Sequence, residues 1–174
     1  MYLSFSNIKN IFIHFIIGLT LIFIQVYLPQ IWINPNLSIN FDVLLIYLTC
    51  IAFIYKPHQI VYFAFMIGLF QDLVVNIEML GILSLLKSLS IFLIGRINNF
   101  KFLWNKKVKI IYLFVIYLFH FLVYYYVFIN NDFYLIVVLS FLQSLACFII
   151  FLSLIHIWRC RRIERCRSRW SPYH

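Results

Sequence analysis

The sequence predicts an all-α membrane protein: a bundle of about six transmembrane helices with both termini in the cytoplasm. Three observations predict it. Hydrophobic residues make up 65% of the chain and charged residues 11%, with a mean hydropathy of +0.99. A water-soluble domain of 174 residues could not bury that much apolar surface. Five largely apolar runs of 16 to 20 residues and one shorter run are separated by brief polar breaks, and about 20 residues at about 1.5 Å each cross a bilayer core. The breaks that hold Lys or Arg, finally, alternate with breaks that hold none.

The first predicted helix covers residues 11–28 and stops at Pro29. The segment after it, "PQIWINPN", has no small-residue cleavage site, so this is expected to be a retained helix and not a cleaved signal. The second, 39–55, has a short apolar core from Val43 to Tyr55 and reaches spanning length only with Ile39–Asp42 at the interface. The remaining four are 60–75, 79–95, 110–129 and 133–151. Lys9, Lys56, and the set Arg96, Lys101, Lys106, Lys107 and Lys109 lie on one side; the breaks 29–40, 76–78 and 130–132 contain no Lys or Arg. Positive loops remain cytoplasmic, which sets the orientation. Trp32 and "VYYYVF" at 123–128 then fall near the outer interface and Trp104 near the inner one, the depth that amphipathic rings favour.

Residues 152–174, "LSLIHIWRCRRIERCRSRWSPYH", break abruptly from the Phe/Ile-rich composition before them. The string resembles a translated sequencing-library adapter: "LSLIHI" corresponds to the transposon end, "WRCRR" to the linker and "CRSRWSPYH" to the flow-cell primer. Such scars are set aside in fold reasoning, and the native C-terminus is expected to differ. A basic, cysteine-bearing tail for anionic lipid or zinc is the functional alternative, but Cys160 and Cys166 lack the spacing of a metal knuckle. The tail also holds six of the fourteen Lys and Arg. Without it, eight basic residues oppose four acidic ones, for +4 in place of +9, and no nucleic-acid partner is expected.

The informative residues are the polar ones inside the apolar runs. Asp42 and Asp72 lie toward the outer ends of helices two and three, Glu78 lies in the adjoining turn, and Lys87 is in the middle of helix four. A charge at that depth costs about 3 kcal/mol on insertion scales and is expected to face protein. Asp72 and Lys87 are offset along the helix hairpin by about 7 to 8 Å, much of which a lysine side chain covers. A charge cluster of Asp42 and Asp72 with Lys87 is one expectation; a hydrated Asp72 near the interface with a snorkelling Lys87 is the other. His14 and His120 are expected to pack or bond to neighbouring helices, and Cys50 and Cys147 to act as small hydrophobes. Gly18, Gly68 and Gly81 permit close helix approach, although there is no GxxxG. No HExxH, P-loop, GxGxxG or nucleophile elbow is present, so neither catalysis nor a cofactor nor a metal is expected.

The stretch 40–97 carries Asp42 at the start of helix two, Gly68-Leu69 and Asp72 at the end of helix three, and Leu80-Gly81 opening helix four. In these residues it resembles the rod shape-determining protein MreD family, with Phe41 in place of the family's proline and with Lys87 outside its pattern. The resemblance implies a non-catalytic subunit of the bacterial cell-elongation complex in the inner membrane. It further implies association with the bitopic protein MreC and, through it, with the MreB filament, RodA and penicillin-binding peptidoglycan synthases. Asp42, Gly68, Asp72, Gly81 and Lys87 would be structural or partner-facing residues, with membrane lipids as the remaining partners. The rival reading is the substrate-binding subunit of an energy-coupling-factor vitamin importer, which has a similar six-helix layout. Its helix one typically carries small residues at four-residue spacing, whereas helix one here offers Gly18 alone.

Sequencing the gene from genomic DNA across codon 151 is expected to show codons that leave the adapter string after Phe151. Recovery of the same string from the genome would make the tail native.

Overall fold

The computed structural model describes residues 8–27, 31–34, 37–39, 42–75, 80–99, 105–128 and 133–168. Six helices form: α1 (Ile8–Tyr27), α2 (Val43–Ala52), α3 (Pro57–Val75), α4 (Ile82–Asn99), α5 (Lys106–Phe128) and α6 (Phe133–Ser168). Three of them, α3, α5 and α6, contain segments long and apolar enough to cross a membrane. Trp32 as a side chain, Glu78, Lys101 and Trp104 lie outside the described residues.

Three features differ most from the sequence-based expectation. Helix two is not 39–55 but Val43–Ala52, about 15 Å long and half of a bilayer core. The Asp42 side chain accepts the Leu45 N–H at 3.0 Å and so fixes the first turn at Val43. At the other end, Ile54 and Tyr55 both donate to the Ile51 carbonyl, and Pro57 then opens α3 at a position where its missing N–H costs nothing. The break between α1 and α2 also forms a small antiparallel hairpin, β1 (Ile31–Asn34) with β2 (Leu37–Ile39), pairing Ile31 with Ile39 and Trp32 with Ser38. Its β-branched residues flank Pro35-Asn36, a combination that favours strands around a turn. A smaller difference is at α6, which continues past 151 to Ser168 because no Gly or Pro interrupts the chain before Pro172. Phe151 is buried, and the side chains from 152 to 157 are all exposed.

α3 packs along α4 and α5 along α6, while α4 also meets α5, and α2 lies against both α4 and α6. α1 covers α2 and α3 from one edge. Polarity is distributed inside out. Ser84, Lys87 and Ser90 form a buried stripe on α4, and Ser140, Gln143 and Ser144 form one on α6. Large apolar side chains such as Phe12, Phe23, Tyr62, Met66, Val115 and Ile149 point outward. That arrangement suits lipid, where association rests on close packing and interhelical hydrogen bonds.

Close packing is greatest between α3 and α4. A Cβ at Gly68 would lie 2.5 Å from Ser84 Cα and 2.8 Å from Ser84 Cβ. At the opposite end a Cβ at Gly95 would lie 2.6 Å from Pro57 Cβ. Gly68→Ala is therefore expected to cost about 1–3 kcal/mol through overpacking, read as a lower Tm in detergent. Gly18→Ala would meet only the flexible end of Ile67, at 2.9 Å, and is expected to cost less. Equal losses in the two variants would contradict the close α3–α4 contact.

Candidate functional site

Lys87 is fully buried on α4, and its ammonium lies 2.9 Å from each carboxylate oxygen of Asp42. It also donates to Gln71 Oε1 on α3. The ammonium is thereby both neutralised and hydrogen-bonded, which is what makes a buried charge tolerable. Asp42 serves two purposes, since the Oδ1 that accepts from Lys87 also accepts the Leu45 N–H that starts α2. Its negative charge also lies at the positive end of that helix. His120 of α5 approaches the same carboxylate, Nε2 to Oδ2 at 3.9 Å.

Asp72 is also fully buried, but it does something else. Its Oδ2 accepts the N–H of Gly81 at 2.9 Å and that of Ser84 at 3.2 Å. These are donors that the first turn of α4 would otherwise leave unpaired. Asp72 is thus a cap supplied from the preceding helix, stabilised further by the α4 dipole. Gly81 adopts φ +98°, the left-handed region that glycine enters at least cost. Its carbonyl accepts from Leu85 N at 2.9 Å and Ser84 Oγ at 2.8 Å.

The structure therefore brings Asp42 and Lys87 together and places Asp72, Gly68 and Gly81 at the α3–α4 turn. The expected three-way cluster separates into an ion pair and a helix cap. The reason is rotational: Gln71 and Asp72 are about 100° apart around α3, so Gln71 faces Lys87 while Asp72 faces the start of α4. The axial distance alone did not carry that information.

Other polar bonds join the remaining helices. Ser90 Oγ lies 3.0 Å from His120 Nδ1, linking α4 to α5, and Thr49 Oγ1 lies 2.9 Å from the Tyr117 hydroxyl, linking α2 to α5. Tyr125 donates to Gln143 Oε1 between α5 and α6. On α1, His14 meets the Tyr47 hydroxyl at 2.8 Å and the Tyr55 hydroxyl at 3.1 Å. Gln71, Ser84, Ser90 and Gln143 were not singled out from the sequence. The three-residue spacing of Ser84, Lys87 and Ser90, a polar stripe along one face of α4, is the signal that would have found part of the set.

Asp42, Gln71, Val75, His120, Tyr124 and Gln143 are among the residues that line a cavity of about 40 Å³ where the helices converge. A larger groove of about 320 Å³, almost wholly apolar, lies at the opposite end between Phe53, Leu113, Phe148 and Ile155, with Lys109 at its edge. Among the described residues, no group of three His, Cys, Asp or Glu is placed to hold a metal ion. Cys147 is buried and Cys50 half-buried, both as free thiols.

No protein-family model matches the chain, and no curated protein or solved structure does.

Removing one partner of the buried pair leaves the other charge unpaired, at about 3–5 kcal/mol. Asp42→Asn and Lys87→Met are each expected to lower Tm sharply, whereas the double variant recovers a substantial part of the loss. Asp72→Asn retains one carbonyl acceptor for the α4 N–H groups and is expected to be milder than either. Additive losses at 42 and 87 in a double-mutant cycle would contradict the pairing.

Proposed function

We propose that this chain is a multi-pass inner-membrane scaffold of the bacterial cell-elongation complex, of the kind the MreD resemblance implies. In this reading all six helices cross or enter the bilayer, both termini are cytoplasmic, and the protein acts without catalysis. It holds an MreC-like bitopic partner and, through that partner, MreB, RodA and the penicillin-binding synthases, so supporting cell shape and peptidoglycan synthesis.

The observation that carries the reading is the position of the residues on which the resemblance rests. Asp42, Gly68, Asp72 and Gly81 start α2, admit Ser84 against α3, and cap and turn α4. A pattern concentrated at helix joints fits a family that keeps a shape for other helices to pack on. The vitamin-importer reading calls for a pocket of several hundred Å³ in which a few placed polar groups fix the ligand. The cavity that has several polar groups is about 40 Å³, and the roomier groove has Lys109 as its single polar lining residue.

Co-purification of a chain ending at Phe151 with MreC in mild detergent is the direct test. Stoichiometric recovery is expected, and it should survive Asp72→Asn if that residue acts on the fold and not on the partner. Failure to recover MreC with a chain that is otherwise folded and monodisperse would contradict the scaffold reading.

A further inference from the structure

The residues lining the cavity at the bundle axis include Asp42, His120 and Gln25, whose acceptor atoms decide what it can hold. Ser90 donates its single hydroxyl hydrogen to the Leu86 carbonyl at 2.8 Å. Toward His120 Nδ1, 3.0 Å away, it therefore acts as acceptor, so Nδ1 carries the ring proton and Nε2 presents a lone pair. That lone pair lies 3.9 Å from Asp42 Oδ2. Two acceptors at that distance repel unless a donor with two hydrogens lies between them. Two hydrogen bonds of about 2.8 Å, opening at about 100°, span about 4.3 Å, close to the observed gap. Gln25 also lines the cavity, and its Oε1 is buried without a partner among the described residues.

We propose that this cavity is a built hydration site, in which one water bridges Asp42 Oδ2 and His120 Nε2 and a second reaches Gln25 Oε1. The volume of about 40 Å³ accommodates this, since a water needs about 10–15 Å³ measured in the same way. The ligand class is a neutral, water-sized donor. A further cation is disfavoured because the Lys87 ammonium already neutralises Asp42 at 2.9 Å. Val75, 44% exposed, stands at the rim and Leu83, 3% exposed, on the wall. The site thus connects the buried charge pair to the end of the bundle where α3 turns into α4, and it does not depend on the partner proteins proposed above.

Hydroxyl-radical footprinting of the full chain in lipid nanodiscs tests the site, because radicals generated from trapped water oxidise the side chains beside it. Phe121 lines the cavity at 2% exposure, whereas Phe63 is 8% exposed and does not line it. Phe121 is expected to be oxidised several-fold faster than Phe63, the reverse of the order that exposure alone gives. Leu83→Phe, which fills the cavity, is expected to bring Phe121 down to the rate of Phe63; Val75→Phe at the rim provides the same comparison if Leu83→Phe does not fold. Phe121 reacting no faster than Phe63 in the unmodified chain would overturn the proposal. So would a Phe121 rate that neither filling variant lowers.

Discussion

The buried contact between Lys87 and Asp42 organises the bundle. Lipid offers helices no hydrophobic reason to associate, so a specific packing needs polar contacts and close approach to define it. A lysine ammonium in hydrocarbon is strongly unfavourable unless an opposite charge and hydrogen-bond acceptors meet it. Lys87 satisfies this only where Asp42 from the head of α2 and Gln71 from α3 meet α4. One side chain thereby fixes the relative placement of three helices, and His120 brings α5 to the same point. Because Asp42 is also the N-cap of α2, the register of that short helix and the position of the charge pair are set together.

The second constraint is the α3–α4 joint, which works by a different means. There the backbone requirements of a tight turn are met by a carboxylate from one helix capping the next. The absent side chain at Gly68 lets Ser84 come within reach. The two constraints are adjacent in sequence, at Gln71 and Asp72, and separate in space only because the helix turns between them. Neighbouring polar residues thus come to serve unrelated ends: Gln71 accepts a hydrogen bond from the lysine, and Asp72 satisfies helix N–H groups.

Much of the architecture was legible in the sequence because span length and hydropathy report directly on helices of this kind. The existence of six helices and the start of the last at Phe133 followed from run lengths and polar breaks alone. The limits of α2 did not, because a capping aspartate and a hairpin between α1 and α2 are local features that a hydropathy run passes over. At the polar centre, the sequence marked Asp42, Asp72 and Lys87 as costly and therefore meaningful. It did not disclose which acid met the lysine, since that depends on rotation about helix axes and not on depth. Gln71, Ser90 and Gln143 were hidden by being uncharged, although Gln71 bonds to Lys87, Ser90 to His120 and Gln143 to Tyr125.

The most direct measurement is a solid-state NMR distance between ¹⁵Nζ of Lys87 and the carboxyl carbon of Asp42 in lipid bilayers. With the ammonium 2.9 Å from both oxygens, the nitrogen-to-carbon separation is about 3.3 Å by simple geometry, and strong dipolar dephasing is predicted. Dephasing to Asp72 in place of Asp42, or none to either carboxylate, would contradict the organisation described here.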